Sequence, residues 1–278
     1  MLSYEEKIIV SKYAYIPEHL IDYVVAVSGA EPFFHEDCIY FVKNSHLIFI
    51  GYPLKEAFSF EGVKKILFNV IDKLKPKTVA FIAPEILISE KECLKKNSDF
   101  YYILELSTFA LTSKLRNSIK RASKEVEILY SKDITKQHIT LIEEVIQTHR
   151  FDEYTEHIYR KIPEYVNSSS KTFVFSAINS KGQLVGFDVA DYESENFCFY
   201  MFNLISKSTY IPGVSDLLFY EIVKEAKKQK KQFVNMGLGI NEGVTFFKKK
   251  WGSRKFLDYN FCLFERGIKF LNALRRIF

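Results

Sequence analysis

Tyr210-Ile-Pro-Gly-Val-Ser-Asp216 closes a strand-like run and opens a helical one, and Asn235-Met-Gly-Leu-Gly-Ile-Asn241 does the same further on. The helix after the second turn ends in Phe246-Phe-Lys-Lys-Lys-Trp-Gly252. Leu217, Leu218, Tyr220, Ile222, Val223 and Ala226 recur at helical spacing, which predicts a helix from about Asp216 to Lys228 with Ser215 as its cap. Working outward, Phe233 to Met236 reads as a strand, Glu242 to Lys250 as a helix and Leu257 to Phe264 as a strand. Before the first turn, Thr172 to Ile178, Gln183 to Tyr192 and Asn196 to Ile205 read as three antiparallel strands. Asn179-Ser-Lys-Gly182 and Glu193-Ser-Glu195 are the turns between them.

Further upstream, Asp133 is expected to cap a helix running to about Thr148, followed by a short helix over Glu156 to Val166. Val126 to Tyr130 reads as a strand, and Lys114 to Lys124 as a basic helix with few acids. The N-terminal part reads as a strand at Lys7 to Val10, a helix from Pro17 to about Val27, and a hairpin of Cys38–Val42 with Leu47–Ile50. A helix at Phe60 to Leu74, a strand at Thr78 to Ile82, a helix at Ile86 to Leu94 and a strand at Phe100 to Leu106 follow. Gly267 to Phe278 is expected as a final basic amphipathic helix, packed on the body in preference to lying on a membrane. The class is α+β. The looser repetition of strand, helix, antiparallel strands, helix and strand predicts two similar domains, 1–110 and 111–278, meeting near Ser107 to Ser113.

A hydrophobic share of 47% supports a packed core, and a net charge of +5 suits anionic ligands without implying nucleic acid. Cys38, Cys93, Cys198 and Cys262 are too widely spaced for a metal pair, so reduced thiols in a cytoplasmic protein are expected. The first residues lack a basic start followed by an apolar run, and no window is long and apolar enough to span a membrane. The six histidines show neither metal spacing nor a nucleophile partner, so no metal site is expected.

At Gly213, Val214 and Ser215 the first N–H groups of a helix have no internal partner, and with the helix dipole they suit a pyrophosphate. A plain Pro-Gly turn with a serine cap fits the same letters. Asn235 and Asn241 can bond a ligand amide or hydroxyl, or serve as turn and cap residues. Lys248 lies four residues after Val244, on a side that can face the sheet, where an ammonium can hold a phosphate or a developing negative charge. Asp188 sits inside Val185-Gly-Phe-Asp-Val-Ala, an unusual place for a charge, and is the candidate general base. An outward-facing strand position is its ordinary alternative. Tyr200 and Asn203 on the next strand complete the candidate set.

This order of strands, Pro-Gly-x-Ser at a helix start, strand, and a helix closing in Phe-Lys-Lys-Lys-Trp-Gly resembles the GNAT acyltransferase superfamily, in particular its Fem-like, tandem-GNAT branch. The likeness covers roughly Ser113 to Phe264. It implies acetyl-CoA or another acyl-CoA as donor, or an aminoacyl-tRNA as in the Fem group. The acceptor would be a small-molecule or peptidyl amine, or a hydroxyl. By the same resemblance Gly213, Val214 and Ser215 would hold the donor, with Asn203 and Asn241 also lining its site, while Asp188, Lys248 and Tyr200 would act on the reacting groups. The phosphate loop departs from the family by having Tyr210 where Arg or Gln is usual, and no long helical arm is apparent. A non-catalytic binding module on the same scaffold is the third expectation.

Overall fold

The computed structural model describes residues 2–266, and the expected terminal helix Gly267 to Phe278 lies outside them. The chain opens with α1 (Tyr4–Tyr13), not with a strand at Lys7 to Val10. The Ser3 hydroxyl accepts from the Glu6 N–H at 3.2 Å, and the Glu6 carboxylate accepts from the Ser3 N–H at 2.7 Å. That reciprocal cap starts a helix and overrides the β-branched Ile-Ile-Val run. The helix expected from Pro17 divides into a 3-10 turn at Pro17–His19 and α2 (Ile21–Ser28). Strand β1 (Glu31–His35) was not expected, whereas β2 (Cys38–Lys43) and β3 (His46–Ile50) form the expected hairpin.

Helix α3 (Phe60–Leu74) and strand β4 (Thr78–Ala83) follow, and the Ile86 to Leu94 helix reduces to one 3-10 turn at Glu90–Glu92. Then come β5 (Lys95–Glu105), α4 (Ser113–Ala122), β6 (Val126–Ser131) and α5 (Lys136–His149). Thr135, not Asp133, caps α5, in a capping box with the His138 ring. Pro163 splits the next expected helix into α6 (Glu153–Arg160) and α7 (Ile162–Ser168). The remaining elements are β7 (Thr172–Asn179), β8 (Leu184–Asp191), β9 (Phe197–Ile205), α8 (Val214–Lys228), β10 (Phe233–Leu238), α9 (Glu242–Lys250) and β11 (Arg254–Glu265).

These elements form two compact units. One comprises the stretch up to Val10, Gly29–Tyr101 and the stretch from Lys255; the other comprises Ser11–Ser28 and Tyr102–Arg254. In the first unit β1, β2, β3, β4 and β11 pair in that order, antiparallel except for the parallel β3 and β4. Val63, Leu67, Val70 and Ile71 of α3 bury against Phe49, Phe81 and Phe264 of the sheet. Each such side chain contributes about 1.5–3 kcal/mol by leaving water. Cys93 and Cys262 form a disulfide in this unit, which corrects the expectation of four reduced thiols. Their separation of 169 residues hides the pairing from the sequence; β11 carries Cys262 back to the chain entering β5, where the Leu94 N–H bonds the Leu263 carbonyl at 2.7 Å.

In the second unit β10, β9, β8, β7 and β6 pair in order, with β10 parallel to β9 and the rest antiparallel. Alternation along β8 sends Phe187 and Val189 toward α5 and α7, in one apolar cluster with Leu141, Val145, Ile162 and Tyr165. The other face carries Gly186, Asp188 and Ala190 and is covered by α8. A Cβ on Gly186 would come 3.5 Å from Val214 of that helix. No helix among the described residues is long and apolar enough to cross a membrane.

Candidate functional site

Asp188 is fully buried on the α8 side of β8. It stands opposite Asn203 in the β8–β9 ladder, and its Oδ1 accepts from the Asn203 amide at 2.5 Å. Its Oδ2 has no hydrogen-bond partner. Burial pushes the carboxyl well above the usual range, and the Asn203 amide and Tyr200 hydroxyl pull it only partly back. Asp191, three positions on, makes the contrast. It is equally buried but receives Tyr165 at 2.8 Å, Thr172 at 2.6 Å and the Glu193 N–H at 2.8 Å. Asp191 therefore ties α7 to the sheet, whereas Asp188 keeps one open acceptor in an apolar surround.

A register shift in the β8–β9 ladder, where Val189 pairs Phe202 and Ala190 pairs Tyr200, turns Tyr200 onto the face that carries Asp188. Its ring meets Phe219 of α8 edge-on at 4.8 Å and stacks on Phe247 of α9 at 6.3 Å. Burial, followed by the neighbouring Asp188, raises its hydroxyl well above the usual value. The β9–β10 ladder runs from Phe233 opposite Phe197 to Asn235 opposite Phe199. After that pair, Asn235 Oδ1 accepts the Gly237 N–H at 2.8 Å. Gly237 adopts φ 71°, and a Cβ there would come 3.9 Å from the Lys248 ammonium and 4.0 Å from the Tyr200 carbonyl oxygen. Lys248 is 2% exposed, and its ammonium donates to the Leu238 carbonyl and lies 5.6 Å from the Tyr102 ring centre. Asp188, Asn203 and Tyr200 thus share one face of the sheet, and the Lys248 ammonium comes close to the Tyr200 backbone at Gly237, where the parallel ladder ends.

At the tip of α8, Gly213 is the N-cap, with φ 90° and no side-chain cap, and Ser215 falls inside the first turn instead of capping it. A Cβ on Gly213 would come 2.8 Å from the Ser118 carbonyl oxygen of α4, so only glycine allows that approach. Val214 is buried and Ser215 half-buried. Asp216, in the same turn, receives the Ser118 hydroxyl at 2.7 Å, the Lys250 ammonium at 2.5 Å and the Trp251 indole N–H at 3.2 Å. This carboxylate knot locks α4, α8 and the end of α9 together. Sequence reasoning missed it. An acid in a helix's first turn is the one signal it carried.

Asn241 caps α9, its Oδ1 accepting from the Val244 N–H at 2.9 Å, and Asn235 also donates to the Tyr15 carbonyl at 2.7 Å. Both side chains hold the turn. Glu144 of α5 accepts from the Lys207 N–H at 2.8 Å, the Ser208 N–H at 3.1 Å and the Ser206 hydroxyl at 3.0 Å. Burial works against its charge, yet the bonds from Ser208, Lys207 and Ser206 outweigh it and hold the carboxyl below the usual range. Glu144 so anchors the loop leading into Tyr210 and the α8 tip.

Comparison with solved structures gives the fold a name, and it is GNAT-like. A DUF2156 C-terminal domain assigned to lysylphosphatidylglycerol synthetase from Agrobacterium fabrum superposes with a TM-score of 0.63 at 14% identity, covering 98% of this chain and 96% of that one. FemX gives 0.56 at 10% identity over 94% and 96%. A tandem GNAT protein from the clavulanic acid biosynthesis pathway gives 0.51 at 10% identity over 83% and 78%. No family model and no curated protein matches the chain.

Proposed function

We propose that the chain is an acyltransferase that moves an acyl group from an acyl-CoA thioester, such as acetyl-CoA, to an amine. One observation carries the reading. Asp188, fully buried and with one oxygen unpartnered, lies on the sheet face that also holds Tyr200, and where the β9–β10 ladder ends the Lys248 ammonium and the Tyr200 carbonyl both come close to Gly237. A buried carboxyl with an open acceptor is expensive to keep without a ligand-directed role.

In the reaction the amine nitrogen attacks the thioester carbonyl carbon, and the C–S bond breaks as the thiolate leaves. Ionised Asp188 takes the proton released from nitrogen, directly or through one water. The Lys248 ammonium, already turned toward a backbone carbonyl at the ladder's end, offsets the negative charge developing on the carbonyl oxygen or binds an anionic part of the donor. Tyr200 and Asn203 hold Asp188 in place, and the Tyr200 hydroxyl can return a proton to the thiolate. The Val214 N–H, expected to be open, is given to the Ile211 carbonyl at 3.3 Å, so the donor pyrophosphate would approach the Ser215 amide, from the side away from Ser118, which closes over Gly213. Asn241, engaged as a cap, would border this site through its backbone. Two tandem GNAT-like domains, 1–110 and 111–278, and a cytoplasmic setting belong to the same proposal.

A second reading is favoured by α4. Lys114, Arg116, Lys120 and Arg121 are exposed there, none of them in an ion pair among the described residues, on the helix that touches the α8 tip. Such a face suits the phosphate backbone of a charged tRNA, the donor implied by the Fem-like resemblance. Thermal-shift titration with acetyl-CoA and longer acyl-CoAs tests the first reading: stabilisation supports it, and none removes the thioester donor. Binding of aminoacyl-tRNA that weakens steeply with salt would put the second in its place. Ligand binding without turnover over a donor panel would leave a non-catalytic module.

A further inference from the structure

Lys248, Lys249 and Lys250 follow one another in α9 and meet three different surroundings. Lys249 is exposed, and Lys250 gives its charge to the Asp216 carboxylate at 2.5 Å. Lys248, 2% exposed, donates to the Leu238 carbonyl and lies 5.6 Å from the centre of the Tyr102 ring. An ammonium at that range is attracted by the negative face of the ring, more strongly as water is excluded. Tyr102 is itself 3% exposed on β5, and the Leu106 N–H on the Gln232 carbonyl at 2.9 Å ties this end of β5 to the start of β10. Its neighbour Tyr101 packs edge-on against Tyr52 and Tyr259. Among the described residues the Tyr102 side chain meets no other ring and its hydroxyl no hydrogen-bond partner, which leaves the Lys248 ammonium as its one directed contact. A ring face fixes an ammonium without cancelling its charge, and that suits an ammonium acting on a developing oxyanion.

We propose that Tyr102 is a positioning residue for Lys248: its ring face holds the ammonium beside Gly237, where the β9–β10 ladder ends, so that the charge meets the acyl oxygen as it becomes negative. The inference rests on the reading of Lys248 as a group that acts on the reacting oxygen. It assigns the role to the ring and not to the hydroxyl.

The test measures acyl-CoA turnover by wild type, Tyr102→Phe, Tyr102→Leu and Tyr102→trifluorophenylalanine. The last keeps the shape of the ring while fluorine drains negative charge from its face. Tyr102→Phe should keep the wild-type kcat. Tyr102→Leu and the trifluorinated ring should lower kcat by about twofold to thirtyfold, the rate equivalent of one cation–π contact, with donor KM unchanged. On a Lys248→Met background the same two changes should cost nothing further, a result that a space-filling ring would not give. Full turnover with the trifluorinated ring, a loss in Tyr102→Phe, a rise in donor KM alone, or losses that persist without Lys248 would each overturn the inference and leave the acyl-transfer reading intact. If Tyr102→Leu does not fold, the trifluorinated variant decides. If the wild type turns over no acyl donor, the reading and the inference fall together.

Discussion

Replacing Asp188 by asparagine separates what the fold needs from what the chemistry needs. The side chain keeps its shape, and an amide can still meet Asn203 at the 2.5 Å contact after a flip of one of the two amides. Burial raises the folded-state value well above that of the unfolded chain, and no basic group offsets it. The folded protein therefore holds a proton that the unfolded chain has released. Wild-type stability is fully present below about pH 4, near the unfolded carboxyl's value, and falls by about 1.4 kcal/mol per pH unit as pH rises toward the folded value. Asp188→Asn has no such slope. Urea unfolding of both proteins from pH 4 to 8 should thus show the variant gaining relative stability with pH at about that rate, levelling off once the folded Asp188 ionises. Turnover at a fixed pH should drop by a factor on the order of 10²–10⁴, the usual worth of a general base, while wild-type kcat/KM should rise with pH as Asp188 ionises. A pH-independent stability difference, or one that shrinks with rising pH, would show Asp188 ionised in the fold and refute the reasoning.

Lys248→Met keeps the stem and removes the bond to the Leu238 carbonyl, so turnover should fall at least tenfold, read by a donor-saturation assay in which circular dichroism stays native. Asp216→Ala strands the Trp251 indole N–H, the Ser118 hydroxyl and the Lys250 ammonium, and should cost about 2–4 kcal/mol in chemical denaturation, less than a fully buried pair because Lys250 is 30% exposed. His138 is kept neutral by burial against a smaller opposing pull from Asp133. Below about pH 6.5 the unfolded chain takes the proton first, so stability should decline with falling pH, and His138→Gln should flatten that part of the curve. Reducing the Cys93–Cys262 bond should lower stability by up to about 5 kcal/mol on chain-entropy grounds, measured as a shift in denaturation midpoint with and without reductant.

Periodicity was a reliable guide where one face alone is buried. Val63, Ile66, Leu67, Val70 and Ile71 placed α3 at its observed bounds, Phe60–Leu74. It misled at Lys7 to Val10, where a four-residue cap outweighed β-propensity, and at Ile86 to Leu94, where the apolar residues cover the first unit's core without a helix. In the site, a charge within an apolar strand marked Asp188, and helix geometry allowed Lys248 to be buried next to the exposed Lys249, since successive side chains point about 100° apart. No local pattern could show that Lys250 would meet Asp216, that Ser118 would close over Gly213, or that Glu144 would hold the loop at Ser206. Each joins residues distant in the chain, and tertiary packing alone decides them.

The link between Cys93 and Cys262 makes the backbone from 93 to 262 a closed ring, and Tyr102–Arg254 lies wholly within it. A protease that cuts once inside this ring opens it without freeing a piece. Both ends stay fastened to the same body, and the nicked protein would travel as one species on a gel run without thiol and as two once thiol is added. The second unit can then be cut at a loop with both fragments still held together through the first unit's disulfide.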